Sequence, residues 1–117
     1  MRMINICAAL SGLAALGMLI AASHPLRNML QPADLDRIEL AAFVHMGAAC
    51  AGLAIANREG RLNAIAGALI LGGAALFAGA LYAISLSGAR AFTVAAPIGG
   101  LALVAGWAVL AFAKAER

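Results

Sequence analysis

Charge is scarce in this sequence. Asp, Glu, Lys and Arg make up 11% of its 117 residues, where a soluble domain carries about a quarter. Too little hydrated surface is available to cover a globule, which excludes an ordinary water-soluble domain. Aromatic residues are few, at 5%, and no basic patch interleaves with them. The net charge of +3 therefore offers no stacking platform for nucleic acid, and no such partner is expected. Cysteine is limited to Cys7 and Cys50, with no Cys-x-x-Cys. No Ser/His/Asp set, phosphate-binding glycine loop or metal-spaced cluster occurs. No enzyme activity, catalytic residue, cofactor or metal is expected.

What the chain has is apolar sequence: 65% hydrophobic residues and a mean hydropathy of +0.99. It falls into four long runs, Ile4–Ser23, Ile38–Ala56, Leu62–Leu86 and Ala96–Ala113. Crossing a bilayer takes about 20 apolar residues at 1.5 Å each, and Phe92–Ala95 can extend the last run. Membrane β-strands would alternate over about ten residues; these runs are continuous and rich in Ala, Leu and Gly. The prediction is an all-α integral membrane protein, a compact four-helix bundle forming a single domain over residues 1–117. The lipid bilayer is its first partner. Met1–Ser23 also mimics a cleavable leader, with Arg2 ahead and "AAS" behind, but its apolar stretch exceeds the usual 7–15 residues. A retained span is expected.

Basic residues in short loops set orientation. Arg2, Arg58, Arg61, Lys114 and Arg117 fall on one side, and Arg27, Arg37 and Arg90 on the other. Both termini and the middle loop are predicted to be cytoplasmic. The thiols of Cys7 and Cys50 then lie toward the reducing side and stay unpaired, as apolar fillers.

The segment "AAPIGGLALVAGW", Ala95–Trp107, carries a proline and three glycines inside an apolar run. In lipid, helices associate through close backbone approach, and small residues line their contacts. Small residues four apart recur throughout: Ala8/Gly12, Ala48/Gly52/Ala56, Ala64/Ala68/Gly72, Ala75/Gly79/Ala83 and Ala102/Gly106. Gly12, Gly52, Gly72, Gly79, Gly99, Gly100 and Gly106 are therefore expected at helix contacts. Pro97 is expected in a first turn, where its missing N–H costs nothing. The alternative use of the Gly99–Gly100 pair is room for a ligand.

Those residues carry a family resemblance. "LFAGALYAISLSGARAFTVAAPIGGLALVAGWAVLAFA", Leu76–Ala113, resembles the C-terminal signature of the YgdD-like bacterial inner-membrane proteins. That family is domain of unknown function 423, and its eukaryotic relative is transmembrane protein 256. Phe77, Gly79, Leu81 and Tyr82 match its Phe-Ser-Gly-Ser-Leu-Tyr segment. Pro97, Ile98, Gly99, Gly100, Gly106 and Trp107 match its Thr-Pro-Ile-Gly-Gly and later Gly-Trp. "AASHPL" and "AAFVHMGAACAGLA" are similar to the end of its first helix and to its second, which puts His24 and His45 on the family histidines. Ala78, Ala80 and Ala96 replace family hydroxyls, and the Tyr-Gln pair before the second histidine is missing. The resemblance implies a four-helix inner-membrane protein and no established reaction.

Small multidrug exporters share this size, but they carry a glutamate that Ile4–Ser23 lacks. The intramembrane arginine clusters of membrane glutathione transferases are missing as well. Four side chains remain as ligand-binding candidates: His45, Tyr82, Trp107 and His24. His45 falls about 10 Å inside the second run on the face of Ala41, Ala49 and Gly52. An ionisable group inside a membrane defaults to a functional hypothesis; its structural alternative is a neutral imidazole bonded to a carbonyl or to Tyr82. Tyr82 is placed near the outer interface, where tyrosines anchor helices. Trp107 is placed deep in the fourth run against glycine-rich neighbours, and His24 at a helix end. Asp34, Asp36 and Glu39 are read as a loop leading into the second helix, which they cap. The leading reading is an accessory or assembly subunit packing on itself or on a larger membrane complex. The alternative is binding or transport of a quinone or lipid near His45, Tyr82 and Trp107.

Overall fold

The computed structural model describes residues 1–115. Among these, α1 spans Arg2–Ser23, α2 Pro32–Ile55, α3 Arg61–Ser87 and α4 Ala95–Phe112, with a 3-10 segment, Arg90–Val94, leading into α4; no strand occurs. All four helices, the last counted from Arg90, are long and apolar enough to cross a membrane. The chain is an all-α, multi-pass membrane protein.

Helix α2 begins well before its apolar run. Pro32 sits in its first turn and Asp34 follows there; a fixed φ and a carboxylate both favour a helix N-terminus. Arg37 Nη1 pairs with Asp34 Oδ1 at 2.7 Å one turn on. The acidic stretch expected as a loop is thus the opening of α2: no side chain caps it, and a first-turn proline and carboxylate, not hydropathy, favour its start. Helix α3 stops at Gly88, whose φ of 69° is left-handed and whose N–H returns to the Ile84 carbonyl. Glycine takes that conformation without a Cβ penalty.

Helix α3 packs against α4 and α2, α2 packs against α1, and α1 touches α3 lightly; α4 approaches neither α1 nor α2 closely. The bundle measures 47 × 26 × 18 Å, so its long axis exceeds a hydrocarbon core of about 30 Å and its cross-section is flattened. Helices α2 and α3 form the centre, with 44% of their apolar stretches buried against 11% for α1 and α4. The outer pair leaves most of its surface for something other than this chain.

Polar contacts tie the two ends. Asn63 Nδ2 donates to the Lys114 carbonyl at 2.7 Å and to that of Glu59 at 2.8 Å, fixing the start of α3 beside the end of α4. Its Oδ1 is buried without a partner among the described residues. At the other end Arg37 Nη1 reaches Ser85 Oγ at 3.4 Å. Arg2, Arg58, Arg61 and Lys114 therefore share one end, and Arg27, Arg37 and Arg90 the other. Arg117 lies outside the described residues.

Buried positions recur at a step of seven, and the pair Ala48/Gly52, four apart, is buried as well. Helix α1 buries Ala8, Ala15 and Ala22. Helix α2 buries Ile38, Ala41, Ala42, His45, Ala48, Ala49, Gly52 and Ile55, and α4 buries Ala96, Gly99 and Gly106. A period near 3.5 is the signature of left-handed packing, whereas steps of four suit the right-handed crossing. A Cβ on Gly52 would lie 2.9 Å from both Ala8 Cβ and Leu71 Cδ2. One on Gly106 would lie 2.9 Å from the Ile70 nitrogen, and one on Gly99 2.7 Å from the Gly73 carbonyl oxygen and closer still to the Phe77 nitrogen. Gly12 and Gly100 have looser surroundings, with Ala49 Cβ at 3.6 Å and Phe77 Cδ1 at 3.8 Å from a Cβ. Pro97 is the third residue of α4, within its first turn.

Two glycines depart from expectation. A Cβ on Gly72 or Gly79 would meet nothing within 4 Å, and Ala64, Ala68 and Ala75 are exposed. The neighbours of α3 occupy its Ala66, Ile70, Gly73, Ala74 and Phe77 faces, which turns the expected contact stripe outward.

Candidate functional site

Within the bundle one polar pair stands out. His45 is 6% exposed, and its Nδ1 lies 3.2 Å from Tyr82 Oη. The rings are 5.9 Å apart and inclined at 45°. The pairing follows from helix geometry. Side chains lean toward their own helix N-terminus, and α2 and α3 run antiparallel. His45 leans toward the Arg37 end while Tyr82 leans away from it, so the two meet between their backbone levels. Counted from Pro32, His45 is roughly 20 Å along α2, near the middle of its 24 residues. That is deeper in the helix than a depth counted from Ile38. Tyr82 spends its hydroxyl on His45 and is not a simple interfacial anchor.

Either the phenol donates to Nδ1 or Nδ1–H donates to the phenol oxygen. In both forms Nε2 of His45 makes no hydrogen bond among the described residues. An imidazole–phenol pair of this kind can position a polar group or hold a bundle in register. No group of three or more metal-ligating side chains occurs among the described residues.

The other two candidates lie elsewhere. Trp107 is 51% exposed and lines a shallow groove of about 410 Å³ with Val44, Gly47, Leu103 and Val104. The deep, glycine-packed position expected for it is corrected: Gly106 takes the α3 contact, and the next residue along a helix points about 100° away. His24 follows α1 as its C-cap and is exposed. Neither joins the His45–Tyr82 pair, so the pocket expected from His45, Tyr82 and Trp107 together does not form.

The larger apolar opening, about 510 Å³, lies between α1 and α3. Met3, Ile4, Cys7 and Leu10 line one wall, and Ala68, Leu71, Gly72 and Ala75 the other. Cys7 and Cys50 are free and exposed, so they face outward and do not fill the core. Gly67 and Gly73 are contact residues that the four-residue spacing does not mark. A Cβ on Gly67 would lie 2.7 Å from Ile4 Cδ1, and one on Gly73 2.8 Å from the Leu103 nitrogen. Their offset of three from Ile70 on either side, inside the same apolar run, is the signal that could have found them.

Residues 8–100 match the family model described as protein of unknown function DUF423. The chain belongs to the DUF423 family. The DUF423 match takes in His24, His45, Tyr82, Pro97, Gly99 and Gly100, and stops before Gly106 and Trp107. No solved structure matches the chain.

Proposed function

We propose that this DUF423 protein is a non-enzymatic accessory or assembly subunit that acts by packing its outward small-residue face against a transmembrane helix of a second copy or of a larger membrane complex. One observation carries this reading. The stripe Ala64, Ala68, Gly72, Ala75 and Gly79 has no close partner among the described residues, and part of it lines the groove between α1 and α3. Small residues permit the close approach on which helix association in lipid depends. The membrane is the bacterial inner membrane, with the Arg2, Arg58, Arg61 and Lys114 end in the cytoplasm, where basic loops are retained.

A gentle-detergent pull-down of the tagged chain from its native membrane tests the reading. A stoichiometric partner or a defined homo-oligomer is expected. A strictly monomeric protein with nothing co-purifying would end it. The free Nε2 of His45 favours a second reading, a quinone or lipid held by its polar head. That reading expects a defined small molecule in the same eluate, lost in His45→Ala with the bundle still folded.

A further inference from the structure

A second cavity lies where the start of α2, the end of α3 and the 3-10 segment before α4 meet. Its volume is about 310 Å³. Leu81, Ile84 and Ala96 give it an apolar lining; Arg37, Arg90, Thr93 and Asp34 give it a polar one. Arg37 precedes the apolar run of α2, and Gly88, which also lines the cavity, ends α3. The cavity is therefore placed at the edge of the hydrocarbon layer.

Its charges are unequal. Two arginines and one aspartate line it, and that carboxylate is committed to Arg37 at 2.7 Å. Both bonds of Arg37, to Asp34 and to Ser85, use Nη1 alone. The group is held in place with Nε and Nη2 free of chain partners among the described residues. Arg90 pairs with no carboxylate there, because the Arg37–Asp34 pair is the only ion pair among the described residues. Asp36 and Glu39, the other acids at this end, line a separate opening near Arg27. A guanidinium held through one nitrogen, with a second arginine on the same lining, suits a phosphate oxygen set, and the apolar lining suits the chains attached to it.

We propose that this cavity binds the phosphate of an anionic membrane lipid through Arg37 and Arg90. The site is independent of the α1–α3 groove and of any partner packed there. Native mass spectrometry of the whole chain, released from nanodiscs of equal phosphatidylglycerol and phosphatidylcholine, tests it. Wild type is expected to retain phosphatidylglycerol in preference to phosphatidylcholine. Arg90→Gln is expected to lower that retention about tenfold, the scale of one charge-assisted hydrogen bond, and Arg37→Gln to do the same. Arg58→Gln, at the opposite end, should leave it unchanged. Arg90 lies on an exposed segment, so its variant folds even if loss of the Asp34 partner unsettles Arg37→Gln. Inorganic phosphate added before release distinguishes the sources: a lipid site keeps its lipid, whereas displacement at millimolar phosphate assigns the same two arginines to free phosphate and overturns the lipid. Equal retention of the two lipids, or an Arg90→Gln protein that behaves like Arg58→Gln, overturns the proposal.

Discussion

Gly99→Ala adds one methyl group where α4 crosses α3 most closely. Its Cβ would sit 2.7 Å from the Gly73 carbonyl oxygen and 2.9 Å from Phe77 Cα, both backbone atoms. Neither can swing aside as a side-chain tip would, so the helices must separate by a sizeable fraction of an ångström. A radial gap of about 0.5–1 Å already forfeits a quarter to a half of each van der Waals contact, and overpacking of this kind costs about 1–3 kcal/mol. Better helix propensity returns up to about 1 kcal/mol. The net destabilisation expected is about 1–2 kcal/mol, measured by reversible unfolding in mixed detergent micelles. Gly72→Ala meets nothing within 4 Å and is expected to leave the isolated chain within about 0.5 kcal/mol of wild type or slightly more stable. Equal losses for the two substitutions would refute this packing of α3 and α4.

Tyr82→Phe, His45→Ala and their double variant are expected to show a coupling of about 0.5–1.5 kcal/mol in the same unfolding assay, in the range of interhelical hydrogen bonds in membranes. Additive losses would mean that the two side chains do not bond. Asn63→Ala removes both bonds that hold the Lys114 and Glu59 carbonyls; a loss of about 1–2 kcal/mol should come with faster amide exchange over the last turn of α4. For orientation, Glu59→Cys in a background with Cys7 and Cys50 changed to Ser should resist a membrane-impermeant maleimide in intact cells and react after lysis. Labelling in intact cells would invert the topology.

The four spans were legible because hydropathy measures the solvent, and a run of about 20 apolar residues suits a bilayer better than any aqueous surface. The start of α2 was not, since Pro32 and Asp34 act through helix-end chemistry that hydropathy does not register. The identity of the small residues was also legible, but their facing was not. Gly72 and Gly99 look alike in sequence, yet one meets nothing and the other meets the Phe77 backbone. Which faces of α3 are covered depends on where α2 and α4 come to rest, a tertiary outcome. Trp107 shows the same limit: one residue after the buried Gly106, it points to the periphery. The His45–Tyr82 contact was legible as one alternative because both side chains needed a partner away from lipid.

The most direct test of the packing face is site-specific photo-crosslinking in the native membrane. Met3 lines the α1–α3 groove and is 70% exposed, so a diazirine side chain there fits without disturbing the bundle. Leu101 on α4, 71% exposed, serves as the control. A protein adduct of one defined mass at position 3, with lipid adducts alone at position 101, is the expected result. Lipid adducts alone at both positions would show that the groove has no protein partner.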